Sequence, residues 1–157
     1  MQFDFNLPAR FNITYADSES REQHVIMLHR ALLGSMERFM GILVEHFGGA
    51  FPPWLSPVQA SVVPVSERHH EYAVEVRDRL RGTGLRVEAD LRNEKLGYKI
   101  RSAQMSKVPY MLVVGDREVQ GRTVSVRDRR RGNQGACPLD DFSRMLGRQV
   151  AQRALDV

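Results

Sequence analysis

Tyr110-Met111-Leu112-Val113-Val114-Gly115-Asp116 is the stretch on which the fold turns. Five apolar residues without alternation suit a strand buried on both faces, and Gly-Asp is turn chemistry. Such a strand needs a neighbour on each side and a helical layer over each face. Working outward, residues 60–65 form a second apolar run of strand length. Ser66 then caps a helix whose buried stripe is Tyr72, Val76 and Leu80, ended by Gly82 and Gly84. Leu85, Val87 and Ala89 alternate with Arg86 and Glu88 at strand spacing, and Leu96, Ile100 and Ala103 recur at helical spacing. Beyond the opening stretch, Val124 and Val126 alternate with Thr123, Ser125 and Arg127. A last helix follows Pro138, with Leu139, Phe142, Leu146 and Val150 inward. Strands separated by helices predict parallel pairing and a three-layer α/β sandwich over residues 60–157, a self-sufficient domain of roughly 100 residues.

Upstream, Gly48-Gly49-Ala50-Phe51-Pro52-Pro53-Trp54-Leu55-Ser56-Pro57 interrupts any regular structure. The domain boundary is placed here, giving segments 1–56 and 57–157. In the first segment, residues 2–7, 11–15 and 25–28 read as three strands. Met36, Phe39, Met40, Leu43 and Phe47 then make one apolar helix face. About 55 residues bury little core by themselves, so this segment is expected to belong to a larger sheet that the 157 residues do not contain.

Composition narrows the class. With 42% hydrophobic and 27% charged residues, the chain builds an ordinary soluble core and is not a disordered tail. No apolar run approaches the ~18 residues of a membrane helix, and residues 1–10 lack the pattern of a secretory signal. The lone Cys137 excludes an intramolecular disulfide, fits a cytoplasmic protein and reads as an ordinary thiol. Charge is uneven. Residues 1–56 hold 4 Lys/Arg against 6 Asp/Glu, a net of −2. Residues 57–157 hold 19 against 13, a net of +6, and within them residues 92–131 hold 11 against 4, a net of +7. Positive charge so concentrated is the footprint of a phosphate-rich partner or, on charge alone, a solvated basic face.

Three features bear on chemistry. In Gly34-Ser35-Met36-Glu37-Arg38, Ser35 can cap a helix and Glu37 suits its positive end, whereas Arg38 opposes the dipole. A helix start with an arginine is a ready anion site, and the alternative is a surface arginine. His29 is a single histidine, structural or metal-ligating, with no helpful spacing to another His or Cys. A small-molecule α/β binder is disfavoured because no Gly-rich loop follows the first strand of the sandwich.

Three blocks of residues carry a family resemblance. The first joins Gln2-Phe3-Asp4-Phe5-Asn6-Leu7-Pro8-Ala9-Arg10-Phe11 to His29-Arg30-Ala31-Leu32-Leu33-Gly34-Ser35-Met36-Glu37-Arg38-Phe39. It is similar to the third signature motif of threonyl-tRNA synthetases. Residues 51–59 resemble their exit from the catalytic domain. Asp90-Leu91-Arg92-Asn93-Glu94-Lys95-Leu96-Gly97-Tyr98-Lys99-Ile100-Arg101, with residues 108–116, resembles their anticodon-binding domain. The resemblance implies a three-layer anticodon-binding domain with a mixed, mainly parallel sheet over 57–157. Residues 1–56 would be an incomplete α+β antiparallel-sheet piece of a class II catalytic domain.

The roles it implies are specific. Arg38 would stack on and neutralise ATP, Ser35 would lie by the threonine pocket, and Gln2 near the adenylate. His29 would be one of three protein ligands of a zinc ion that holds threonine through its amino and hydroxyl groups, a contact that rejects valine. Anticodon contacts would fall on Asn93, Lys95, Arg101, Glu118 and Arg127. The strand alternation agrees for Arg127, which shares a face with Thr123 and Ser125 away from Val124 and Val126. Glu118 in a basic stretch suits an acceptor for a base N–H. Arg129-Arg130-Arg131 reads as nonspecific phosphate contacts or a solvated run. The other two zinc ligands and the first two signature motifs lie upstream in the family and are missing here. The resemblance thus implies part of a threonine–tRNA ligase using ATP, threonine and threonine tRNA, from a family usually homodimeric. This segment mainly binds the anticodon. The alternative is a free-standing anticodon-domain RNA-binding protein without ligase activity.

Overall fold

The computed structural model describes residues 1–155, so the last two residues of the expected 57–157 domain lie outside the described residues. The chain divides into two compact units, Met1–Ile42 and Leu43–Val157.

In the first unit, β1 (Gln2–Asp4) is followed by a short helix α1 (Asn6–Arg10), and β2 (Thr14–Ala16), β3 (Glu22–His24) and β4 (Met27–His29) follow. β1 pairs antiparallel with β4, and β2 with β3, as two separate two-stranded sheets. The strand expected over 2–7 stops at Asp4. Its Oδ1 accepts from the N–H groups of Asn6 and Leu7 at 2.9 and 3.0 Å and launches a helical turn. The strand expected over 11–15 is only Thr14–Ala16. Asp17 Oδ1 accepts from Glu19 and Arg21 N–H groups and folds the chain back into β3, which the sequence reading lacked. The strand expected over 25–28 is displaced to Met27–His29.

Helix α2 (Met36–Phe47) has no buried residue, and the division between the units falls within it. In Met1–Ile42, Pro8 is the one buried residue, while Phe3, Phe11 and Met36 are 61%, 70% and 62% exposed. A sheet piece this open has almost no core of its own.

The second unit continues with β5 (Ala60–Pro64), α3 (His70–Gly82), β6 (Val87–Ala89), α4 (Leu96–Met105) and β7 (Tyr110–Val114). α5 (Asp116–Gly121), β8 (Thr123–Asp128), β9 (Gly132–Pro138) and α6 (Leu139–Ala151) complete it. The sheet order is β6-β5-β7-β8-β9. β5 pairs in parallel with both β6 and β7, Val62 lying opposite Leu112, and the β7–β8 and β8–β9 ladders are antiparallel. The sheet is mixed, as expected. Its antiparallel share is larger by β9, whose half-buried Gly132 and exposed Asn133, Gln134 and Gly135 have neither alternation nor β-branching to announce a strand.

Tyr72, Ala73, Val76 and Leu80 of α3 and Leu139, Phe142 and Leu146 of α6 bury one sheet face, against Ala60, Val62, Val87, Leu112, Val124 and Val126. α4 covers the other. Its expected stripe of Leu96, Ile100 and Ala103 is only half-buried, and the fully buried position is Lys99. The Gly/Pro-rich segment before β5 is also packed. Pro52, Pro53 and Ser56 are buried, Gln59 is fully buried, and Arg86 donates to the carbonyls of Trp54 and Ser56 at 3.0 and 2.8 Å. Among the described residues no helix is long and apolar enough to cross a membrane.

Candidate nucleic-acid interface

The carboxyl edge of the parallel strands collects most of the polar chemistry. After β5, Ser66 starts a 3-10 turn (Glu67–His69) that leads into α3. His69 is 3% exposed; its Nδ1 accepts from Ser66 N–H at 3.3 Å, so Nε2 carries the proton and donates to Asp116 Oδ1 at 3.0 Å. Arg68 donates to the other oxygen of Asp116 at 2.7 Å. The loops that follow β5 and β7 are thereby tied together, and the hydrogen bond from His69 holds the Asp116 carboxyl below the usual carboxylate range.

After β6, Asp90 and Arg92 form a two-toothed ion pair at 2.8 and 2.6 Å. The Arg92 guanidinium lies 5.7 Å over the Tyr98 ring. Its hydrogen bonds lower the pKa of Asp90. This brace shapes the loop that presents Asn93 and Lys95, both exposed, just before α4. Arg101 is exposed on the helix itself. Asn93 and Lys95 line one cleft together, whereas Arg101, Glu118 and Arg127 do not line it.

Glu118 is half-buried, and its Oε2 accepts from the Gly115 N–H at 2.9 Å, which ties one carboxylate oxygen to the start of α5. Arg127 lies opposite Met111 of β7. Val124 and Val126 enter the core under α3 and α6, so Arg127 points to the α4 side of the sheet with Thr123 and Ser125. It is half-buried, and its Nε is a buried donor without a partner. An unmet buried N–H is costly and calls for an explanation.

The arginine run separates into different jobs. Arg129 is neither a phosphate contact nor a solvated side chain: it donates to the carbonyls of Ala50, Phe51 and Lys107, and burial lowers its pKa. Arg130 and Arg131 are exposed, and their backbone N–H groups donate to the buried Asp128 Oδ1 at 2.6 and 2.8 Å. Lys99, His69, Arg86 and Asp128 were all missed. Asp128-Arg129-Arg130-Arg131-Gly132 carried an Asx-turn signal, while a lysine inside a helix carries none.

In the first unit, Gln2 and His29 face each other across the β1–β4 ladder. His29 Nε2 meets Asp4 Oδ2 at 3.0 Å. Ser35 Oγ accepts from the Arg38 N–H at 3.3 Å and donates to Glu37 at 2.7 Å, so Ser35 and Arg38 share the start of α2, where both are exposed. Among the described residues no three His, Cys, Asp or Glu side chains gather to hold a metal. Zinc takes about four ligands, so these residues do not make a zinc site by themselves.

Residues 59–149 match the family model described as anticodon binding domain. The chain belongs to the anticodon-binding domain family. Residues 1–47 match a second model, the tRNA synthetase class II core domain (G, H, P, S and T). The anticodon-binding match covers β5 and the elements after it nearly to the end of α6. Among curated relatives, the threonine–tRNA ligase of Caldanaerobacter subterraneus subsp. tengcongensis is 53% identical over 155 residues, 99% of this chain and 24% of the relative. That of Aquifex aeolicus is 52% identical over 142 residues, 90% of this chain and 22% of the relative. The chain thus spans about a quarter of the length of the curated relatives it matches. A solved RNA binding domain of threonyl-tRNA synthetase from Cryptosporidium parvum superposes with a TM-score of 0.77 at 36% identity, over 94% of this chain and 38% of the other. A prolyl-tRNA synthetase from the same organism, at 21% identity and a TM-score of 0.58, shares the fold.

Proposed function

We propose that residues 57–157 read the anticodon of a threonine tRNA for a threonine–tRNA ligase. Residues 1–56 are then the end of its catalytic domain. The observation that carries this reading is the buried, unpartnered Nε of Arg127, a donor held on the α4 side of the sheet with no acceptor within the described residues. A splayed base offers such an acceptor on its edge. Asn93, Lys95 and Arg101 add donors from the α4 side, and Glu118 offers its second carboxylate oxygen to a base N–H. The net +7 of residues 92–131 supplies the sequence-independent phosphate attraction.

For the whole ligase, a cytoplasmic homodimer by its family, Arg38 meets ATP, Ser35 borders the threonine pocket and Gln2 lies near the adenylate. His29 would supply one zinc ligand, its ring oriented by the Nε2 contact with Asp4. Zinc, when bound, would hold the threonine amino and hydroxyl groups. The openness of Met1–Ile42 favours a second reading of the chain, a free-standing anticodon-domain RNA-binding protein without ligase activity.

The test is a binding titration of the full chain, Arg127→Ala, and Arg130→Ala with Arg131→Ala, against stem-loops bearing threonine and foreign anticodons. Arg127→Ala should cost ~1–3 kcal/mol on the threonine anticodon and much less on the foreign one. The double substitution should weaken both alike and flatten the salt dependence. Equal weakening of both RNAs by Arg127→Ala would reduce that arginine to a phosphate contact.

A further inference from the structure

β5 and β6 are adjacent parallel strands whose connections leave to opposite faces, β5 into α3 and β6 into α4. Where that happens in an open α/β sheet, a crevice opens beyond the carboxyl ends of the strands, and ligands bind there. Here it is a cavity of about 550 Å³.

Its innermost charged group is Lys99, which is 2% exposed. The ammonium has three N–H donors, and its one hydrogen bond is to the Pro64 carbonyl at 3.3 Å. Among the described residues Lys99 forms no ion pair. The Asp90 carboxylate on β6's exit feels the charge of Lys99 but is hydrogen-bonded to Arg92. A buried cation whose nearby carboxylate is hydrogen-bonded to another group is expensive to keep. A second unmet donor or acceptor lines the same crevice: His70 Nε2 is buried and has no partner. Lys95 stands exposed at the rim, beside the exposed carboxylates of Glu67 and Glu94. No aromatic ring that could stack a base lies in the lining apart from the His70 imidazole. Unmet donors around a buried positive charge fit an anionic group that only accepts hydrogen bonds.

We propose that this crevice holds one phosphodiester of the RNA anticodon loop, with Lys99 Nζ and His70 Nε2–H donating to its non-bridging oxygens. The proposal rests on the RNA-binding reading above and adds to it one defined phosphate contact, independent of base identity.

The test uses the full chain, Lys99→Met and His70→Ala, with a threonine-anticodon stem-loop and a foreign-anticodon stem-loop. Each loop phosphate is replaced in turn by an uncharged methylphosphonate. Lys99→Met should bind both RNAs roughly tenfold more weakly and lower the salt slope by about one, while its thermal midpoint stays at or above that of the parent chain. One methylphosphonate position should weaken the parent chain to the same degree and leave Lys99→Met unaffected. Unchanged RNA affinity in folded Lys99→Met overturns the proposal, as does the absence of any such position. If Lys99→Met does not fold, the scan on the parent chain and His70→Ala decides: one position must weaken the parent more than His70→Ala, and no difference anywhere overturns the proposal. A parent chain that discriminates the anticodons, with no effect of Lys99→Met or His70→Ala and no sensitive methylphosphonate position, sinks this inference alone. A parent chain that binds neither RNA sinks the reading beneath it as well.

Discussion

Arg127 and Arg129 lie two residues apart and have opposite fates. Arg127 keeps a buried donor unmet. Arg129 spends its guanidinium on the carbonyls of Ala50, Phe51 and Lys107, so it ties the segment before β5 to the loops around β7 and β8 within the second unit. Arg129→Ala should therefore destabilise the chain by ~1–3 kcal/mol, since it removes hydrogen bonds from a charged donor to two half-buried carbonyls and an exposed one. It should change the RNA salt slope little. Arg130→Ala should stay within about 0.5 kcal/mol of the parent. Chemical denaturation of both variants checks the pair, and equal stabilities would refute the division of labour. Acid sensitivity follows from the aspartates. The Arg92 hydrogen bonds hold Asp90 below its ordinary pKa, and Asp116 is lowered through His69 and Arg68. A carboxylate with a depressed folded-state pKa stabilises the fold above its unfolded pKa, and that contribution is lost as pH falls through the folded value. Thermal midpoints should thus be level above the ordinary carboxylate range and fall below it, with a shallower fall in Asp90→Asn. An unchanged acid slope in Asp90→Asn would show that the Arg92 brace carries no linkage.

The central elements were legible because their signals are periodic. The run of β7 is buried save for half-buried Val113, as are the Tyr72, Val76 and Leu80 stripe of α3 and the Leu139, Phe142 and Leu146 stripe of α6, whose Val150 is half-buried. The elements that were missed depend on single side chains. Asp4 turns a strand into α1, Asp17 makes the β2–β3 hairpin, and Asp128 folds β8 into β9. Lys99 was invisible for a different reason: helical periodicity ranks positions by apolarity, and a buried lysine breaks the pattern. Of the candidate interface, the strand alternation alone indicated the side to which Arg127 points; its unmet Nε needed coordinates. Burial also orders the elements in stability. Hydrogen exchange on the full chain should protect Tyr110–Val114 strongly and Met36–Phe47 weakly, because β7 is enclosed and α2 buries nothing. Equal protection would mean that the α2 apolar face is covered in solution, by a dimer for instance.

The chain corresponds to about a quarter of each threonine–tRNA ligase it resembles, and that fraction sets what it can do unaided. One zinc-ligand candidate, His29, and one ATP-binding candidate, Arg38, do not assemble an adenylation site. The purified chain should show no threonine-dependent ATP–pyrophosphate exchange, and metal analysis should find well under one zinc per chain. One tightly held zinc per chain would contradict this. RNA recognition is different, because the elements proposed to supply it fold in one unit with its own core. The most direct measurement is the affinity of the unmodified chain for two stem-loops that differ only in the anticodon, across a salt series. Tighter binding of the threonine anticodon at every salt concentration, with both affinities falling as salt rises, is the predicted result. Equal affinity for the two stem-loops would contradict anticodon reading by this chain.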